Sequence, residues 1–421
     1  MEKLNITKVT IFSGIVTFFR LSVGLAISKV VAIYTGPEGV SMLGQFQNFI
    51  NLINGFVSSQ VSQGVNRYTA ENGENFEATK FFWRAALKLS AIATGLIMII
   101  GILLSNKISL WLFSNESYYW LIIASLFLVP LNVANGVFLG VINGLFDYNR
   151  YFIANLLSIF SSLFTVCILV YLWGLEGALI AVAINNAIAG IWLIFILWRQ
   201  KWFSLYYWLG NTKKEHFREM MNYFFMGVIG AFTGPVSLIL VRSTITSHLS
   251  LTDSGYWQAV IRVSDAYLAI LMTVMTVYYF PKTASAKNKT EHLNILYVGL
   301  KSILPLAVIM AFGVYFLRDL ILEMLFTSDF SKASHLFFFQ NIGDVIRITS
   351  WLFATILLAK GYFKINALLE IIFSFTFPVF TFYFIDSLGL RAASVAYCLN
   401  YILYFIVVFI IYCLHIKRLR E

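Results

Sequence analysis

Nine ionisable side chains fall inside apolar runs of the chain: Arg20, Lys29, Arg242, Arg262, Lys301 and Arg347, against Asp265, Asp344 and Glu370. Each costs at least about 3 kcal/mol near the centre of a bilayer, and is retained there only with a partner, a wet cavity or a task. Cations at such depth call for an anion. Carboxylates at such depth suit a proton or a sodium ion whose occupancy changes their pairing with a neighbouring arginine. No acid lies inside the first six runs, so Arg20 and Lys29 carry positive charge that an anion from elsewhere must balance. Nine residues turn a helix by about half a turn and advance it about 13 Å, so these two side chains point in opposite directions and one of them faces the interior. Lys29, nearer the outer end, is also placed to snorkel to the interface. Arg262 with Asp265, and Asp344 with Arg347, are each three residues apart, a spacing that puts both charges of a pair on one helix face. Such pairs either neutralise themselves or make Asp265 or Asp344 an ion-coupling site, with Glu370 a third carboxylate at depth.

The second apolar run presents Gly44, Asn48, Asn51, Gly55, Ser59, Ser62 and Asn66 at spacings of three and four, widened by Gln60 and Gln63 and closed by Arg67. That is one polar face on a helix otherwise made of Phe, Ile, Leu and Val. Carboxamides and hydroxyls on a cavity wall suit a hydroxyl-rich molecule such as a sugar chain; the alternative is hydrogen bonding between packed spans. Gly136, Gly140 and Gly144 form a ridge of small residues that permits close helix packing. Pro130, Pro305 and Pro378 bend helices, and Gly234-Pro235, two turns before Arg242, is the best hinge.

The elements that must position these residues follow from composition. Of 421 residues, 59% are hydrophobic, 17% aromatic and only 12% charged, with a mean hydropathy of +0.79. A soluble enzyme is excluded, and the fold class is an all-α polytopic membrane protein. Helical runs are expected at 8–34, 39–68, 77–105, 117–146, 150–174 and 176–200, and, after the polar Asn211-Thr212-Lys213-Lys214, at 215–248, 254–281, 290–317, 332–361, 363–385 and 389–416. The first run is read as retained rather than cleaved. Twelve crossings leave both termini on one side. Twenty of the 30 Lys and Arg residues lie in loops on that side and four on the other, which makes the termini cytoplasmic.

The halves repeat at an offset of 213 to 216: Lys29 with Arg242, Gly39 with Gly255, Lys88 with Lys301, Leu112-Phe113-Ser114 with Leu325-Phe326-Thr327, Asn185 with Asn400. Six spans per copy give both copies the same orientation. Two six-helix bundles are therefore expected, residues 1–210 and 211–421, related by a pseudo-two-fold axis along the membrane normal with a cavity between them, a transporter architecture. A short amphipathic piece precedes the fourth span of each copy, at Leu110 to Phe113 and Leu320 to Phe326.

Other chemistry finds no support. The five histidines are dispersed, and Cys167, Cys398 and Cys413 lie in apolar runs without disulfide or zinc spacing, so no metal is expected. There is no phosphate-binding G-x-x-x-x-G-K-[ST] loop, and no loop has room for a catalytic domain. The net charge of +10 is scattered between spans and does not form a nucleic-acid footprint. Transport driven by a gradient remains, with a proton or sodium ion as the only helper.

The run Arg20 to Gly39, then G-V-N-R-Y at Gly64 to Tyr68, W-Q-A-V-I-R-V-S-D-A-Y-L at Trp257 to Leu268, Y-F-P-K at Tyr279 to Lys282, G-D-V-I-R at Gly343 to Arg347 and the stretch Lys360 to Glu370 together resemble the O-antigen translocases of the multidrug/oligosaccharidyl-lipid/polysaccharide exporter superfamily. The likeness covers nearly the whole chain and falls near the branch that includes the enterobacterial common antigen flippase. It implies a flippase, not an enzyme, that carries an undecaprenyl-pyrophosphate-linked oligosaccharide from the inner to the outer leaflet of a bacterial inner membrane, where a polymerase and its chain-length regulator are further candidate partners. It also implies Arg20, Lys29, Arg67, Arg242, Arg347 and Lys360 as pyrophosphate or sugar contacts, with Asn48 and Asn51 on the sugar, the polyprenyl tail staying among membrane lipids. Arg262 departs from the family pattern. Charge agrees independently: moving about two negative charges through hydrocarbon is prohibitive unless cations in a hydrated groove receive them.

Two other readings compete. A multidrug exporter of the same superfamily, expelling organic cations, wants an acidic cavity, whereas the spans carry six basic against three acidic residues. A polymerase or ligase acting on the same lipid needs a large outer loop, which the sequence lacks.

Overall fold

A computed structural model describes residues 6–275, 279, 282–283, 289–359 and 362–418. These are helical almost throughout, with no strand among the described residues. Helix α1 (Ile6–Asn54) holds the first two spans in one rod, broken at Gly36 by a backbone of φ 62° and ψ −167° that an L side chain adopts only under strain, with Pro37 next in line. A π-helical turn, Gly55–Ser59, interrupts the second span before α2 (Gln60–Asn72) continues it. Next come α3 (Phe76–Leu103), the short α4 (Ser105–Phe113), α5 (Tyr119–Gly144) and α6 (Tyr148–Leu197), a second double-length rod broken at Gly174 with φ 54°. The short α7 (Leu205–Trp208) closes the first half, and the second comprises α8 (Lys214–His248), α9 (Leu251–Val274), α10 (Lys289–Leu325), α11 (Phe337–Ala359), α12 (Phe363–Leu388) and α13 (Arg391–Arg418).

Two spans in α1, two in α6 and one in each of α3, α5 and α8 to α13 account for twelve crossings. Among the described residues, eight helices are long and apolar enough to cross a membrane by composition alone. Helices α8 and α9 are not among them. They carry Arg242, Arg262 and Asp265, so their polar faces must meet protein or water rather than lipid. Of the two amphipathic pieces, the first is the separate helix α4, ended by Ser114 in the left-handed region at φ 54°. The second is the last turns of α10, which runs on to Leu325 without a break.

Two compact units emerge. One comprises residues 1–35 and 42–236, the other residues 36–41 and 237–421. The division runs through α8 directly after Gly234-Pro235, with Pro235 inside the helix, rather than at residues 210 and 211.

In the first unit, α5 packs on α2 through the glycine ridge. A Cβ added to Gly140 would sit 2.6 Å from the Ser62 carbonyl oxygen, and one on Gly144 2.6 Å from that of Asn66. The segment before α8 folds back on α3. Trp83, fully buried, stacks on Trp208 at 5.2 Å and 10° and donates its indole N–H to Thr69 Oγ1 at 2.9 Å. Thr212 donates to the Phe81 carbonyl at 2.9 Å, and Arg84 to that of Asn211 at 3.2 Å. In the second unit, α11 packs on α13 and α12 on α13, around Leu271, Ile348, Leu352, Ile356 and Val408.

Candidate functional site

In the first unit Arg20 is exposed on α1 and donates from Nη2 to Asn155 Oδ1 of α6 at 2.9 Å, a neutral partner that leaves its charge in place. Lys29, on the same helix, is half-buried and has polar or electrostatic partners of its own. Arg67 departs from the expectation of an uncompensated cation. Its Nε meets Glu71 Oε1 at 2.7 Å, and Nη1 donates to Tyr223 Oη at 2.8 Å. The i, i+4 spacing of Arg67 and Glu71 predicts this pair, which the span count hid by placing Glu71 in a loop.

The polar face of the second span splits in two. Asn51 is exposed and Asn48 half-buried. Towards the other end, Ser62 Oγ donates to the Gly136 carbonyl at 2.5 Å, and Gly55 and Gly64 pack on Ala231 and Met220 of α8. There the stripe is helix packing rather than a wet wall, because small residues let neighbouring backbones approach.

The second unit gathers the acidic candidates. Asp344, on α11, is fully buried and accepts hydrogen bonds from Tyr267 Oη of α9, from Tyr397 Oη of α13 at 2.7 Å and from Gln340 Nε2 at 3.4 Å. Arg347, one turn on, donates from Nη1 to the same Tyr397 hydroxyl at 3.1 Å. Tyr397 Oη thus joins cation to carboxylate, accepting from one and donating to the other. The acidic side chain in direct ion-pair range of Arg347 is Asp265 of α9, at 3.9 Å, a contact between helices rather than the expected i, i+3 pair with Asp344. The guanidinium lies over the Trp351 ring, 4.5 Å from its centroid, and 5.5 Å from that of Tyr401.

Arg242 is not on an open wall. It is 2% exposed, donates from Nη2 to Gln258 Oε1, and lies 5.5 Å from the Trp257 ring, a buried position that corrects its assignment as a substrate contact. Glu370 is exposed on α12 and accepts from Asn366 Nδ2 at 3.3 Å, away from the other two carboxylates. Lys360 lies outside the described residues. Among the described residues no group of three His, Cys, Asp or Glu is placed to hold a metal.

Sequence reasoning missed the aromatic frame. Tyr397 and Tyr401, four apart on α13, and Trp351, four beyond Arg347 on α11, present helical-face spacings that the search for charges passed over.

Chemically the second-unit site is a fixed guanidinium with aromatic faces and a solvent-reaching edge, suited to a phosphate and to sugar rings. A twelve-span all-helical chain with such a site has the architecture of a membrane transporter.

No family model matches the chain. Among curated proteins it is 25% identical over 406 residues to the Lipid III flippase of Escherichia coli (strain K12), covering 96% of this chain and 97% of that protein. The Lipid III flippase of Shigella flexneri gives the same figures. Among solved structures, an inward-facing multidrug resistance MATE family transporter superposes with a TM-score of 0.81 at 15% identity, covering 95% of this chain and 98% of that one. A MOP superfamily transporter from Pyrococcus furiosus, described as having a binding pocket of reverse polarity, gives 0.71 at 15% identity over 98% and 96%. The chain is thus similar over nearly its whole length to a flippase of a lipid-linked precursor, and it shares its fold with solved transporters of the MOP superfamily.

Proposed function

We propose that this protein is a flippase that moves an undecaprenyl-pyrophosphate-linked oligosaccharide repeat unit of O-antigen type from the cytoplasmic to the periplasmic leaflet of a bacterial inner membrane by alternating access, with both termini cytoplasmic. The observation that carries the reading is the match to the Lipid III flippase over 96% of the chain. Arg20 and Arg347 then receive the pyrophosphate and Asn48 and Asn51 the sugars, while the polyprenyl chain stays in lipid. A gradient supplies the energy. At Asp344 sodium is disfavoured, because the neighbouring tyrosines and Gln340 aim donors rather than oxygen lone pairs at the carboxylate.

The second reading, an ion-coupled exporter of organic cations, draws on Asp265, whose side chain is 58% exposed. Proteoliposomes separate the two. The flippase reading expects a fluorescent lipid-linked oligosaccharide to become accessible to a non-permeant glycosidase only in vesicles holding the protein, with Arg20→Ala slower by tenfold or more. Gradient-driven uptake of a cationic dye without glycan movement would overturn it.

A further inference from the structure

We propose that Asp265 is a resident counter-anion on Arg347, displaced when a phosphate-bearing lipid headgroup arrives; the substrate class rests on the flippase reading above. The two carboxylates near Arg347 are held in opposite ways. Asp344 has no exposed surface, and three donors from three helices fix it. Through the Tyr397 hydroxyl it anchors Arg347 from the protein side, with Tyr397 Oη 2.7 Å from one and 3.1 Å from the other. Asp265 approaches the same Nη1 only to 3.9 Å, and its side chain is 58% exposed against 22% for Arg347. That separation exceeds a hydrogen bond, and an ion pair with one member in solvent contributes little.

Arg347 also retains unused donor capacity, since its Nε–H is buried with no hydrogen-bond acceptor. A phosphate offers several acceptor oxygens and two-point, charge-assisted contacts that a monodentate carboxylate at 3.9 Å does not. The exchange therefore favours the phosphate. Asp265, exposed on α9, is free to turn away from Arg347, while Arg262, one turn before it on the same helix, stays within its electrostatic reach. Before the exchange it keeps Arg347 from standing unpaired at membrane depth, and a lipid whose headgroup carries no net negative charge does not displace it. Asp265 is thus a specificity-determining residue, and Asp344 and Tyr397 are positioning residues.

The test uses the full chain in phosphatidylcholine nanodiscs, titrated calorimetrically with inorganic pyrophosphate and with geranyl diphosphate, a soluble prenyl diphosphate. Asp265→Asn and Asp265→Ser are expected to bind both ligands at least threefold tighter than the parent, and Arg347→Ala at least tenfold weaker. Two substitutions at this exposed position guard against one that folds poorly. Unchanged or weaker binding in both Asp265 variants, alongside the loss in Arg347→Ala, would overturn the counter-anion role and leave the phosphate site standing. Absence of pyrophosphate binding to the parent would overturn the substrate class itself. Displacement of pyrophosphate by phosphatidylglycerol at equal concentration would make the occupant an ordinary anionic headgroup and overturn the assignment.

Discussion

Ser41 Oγ donates to Ser254 Oγ at 2.8 Å, and their separation of 213 positions falls within the offset at which the two halves of the sequence repeat. Each serine opens the second span of its own copy, and both belong to the second compact unit. Beside them Thr252 Oγ1 donates to Glu38 Oε1 at 2.9 Å, and Gly255 packs so tightly on Pro37 that an added Cβ would sit 2.0 Å from its carbonyl oxygen. Equivalent ends of the repeat therefore meet one another on the side opposite the termini.

The proposed alternating access requires these ends to part. A Ser41→Cys/Ser254→Cys double variant is expected to form a disulfide in membranes under mild oxidant, because its parent oxygens already stand 2.8 Å apart. Glycan flipping should stop on oxidation and return on reduction. Full transport by the cross-linked protein, with cross-linking verified by mass spectrometry, would count against an opening at this contact.

The glycine ridge of α5 yields a stability prediction. Gly140→Ala drives a methyl group to 2.6 Å from a backbone oxygen, which has no rotamer to retreat into. Overpacking of that kind costs about 1–3 kcal/mol. Gly95→Ala on α3, where nothing lies within 4 Å of an added Cβ, is the control. Thermal unfolding in detergent should fall for the first and hold or rise for the second, since alanine is the better helix former.

Much of this was legible in the chain. Apolar run lengths, loop charges and the repeat point to twelve spans in two halves. Gly136, Gly140 and Gly144 announce a packing ridge because their spacing has one structural use, and Gly234-Pro235 marks the place where the compact units divide. Partner choice between helices was not legible. Asp265 and Arg347 stand 82 positions apart, and local spacing instead offers Arg262 and Asp344, so only tertiary packing reveals the 3.9 Å contact. Arg242 reads as an open cation until Gln258, sixteen residues on, is seen to accept from it.

The segment before α8 is a structural anchor rather than a slack linker. Trp83→Ala removes a fully buried indole from between Trp208 and Thr69, and truncations of that size cost about 3–5 kcal/mol. Trp83→Phe keeps most of the packing but loses the 2.9 Å hydrogen bond to Thr69, a loss of about 1 kcal/mol. Chemical denaturation should rank the parent, Trp83→Phe and Trp83→Ala in that order. Cleavage by added trypsin after Lys213 or Lys214 should quicken in the same order, because releasing Trp208 frees the segment that Arg84 and Thr212 hold.

Tyr397→Phe tests whether cation and carboxylate act as one unit. The hydroxyl is the only atom lost, yet it serves two charged groups: Asp344 loses its 2.7 Å donor and Arg347 its 3.1 Å acceptor. Leaving a buried polar group short of a partner costs about 1–3 kcal/mol, so the single variant should be destabilised by that amount. Asp344→Asn removes the charge that Tyr397 relays. If the relay is real, Arg347 gains little from the hydroxyl once Asp344 is neutral, and the double variant should be less destabilised than the two single effects added together. The expected coupling is about 0.5–3 kcal/mol, read from denaturation midpoints of all four proteins. Strict additivity would mean that Tyr397 binds each group independently and that Asp344 does not hold Arg347 in place.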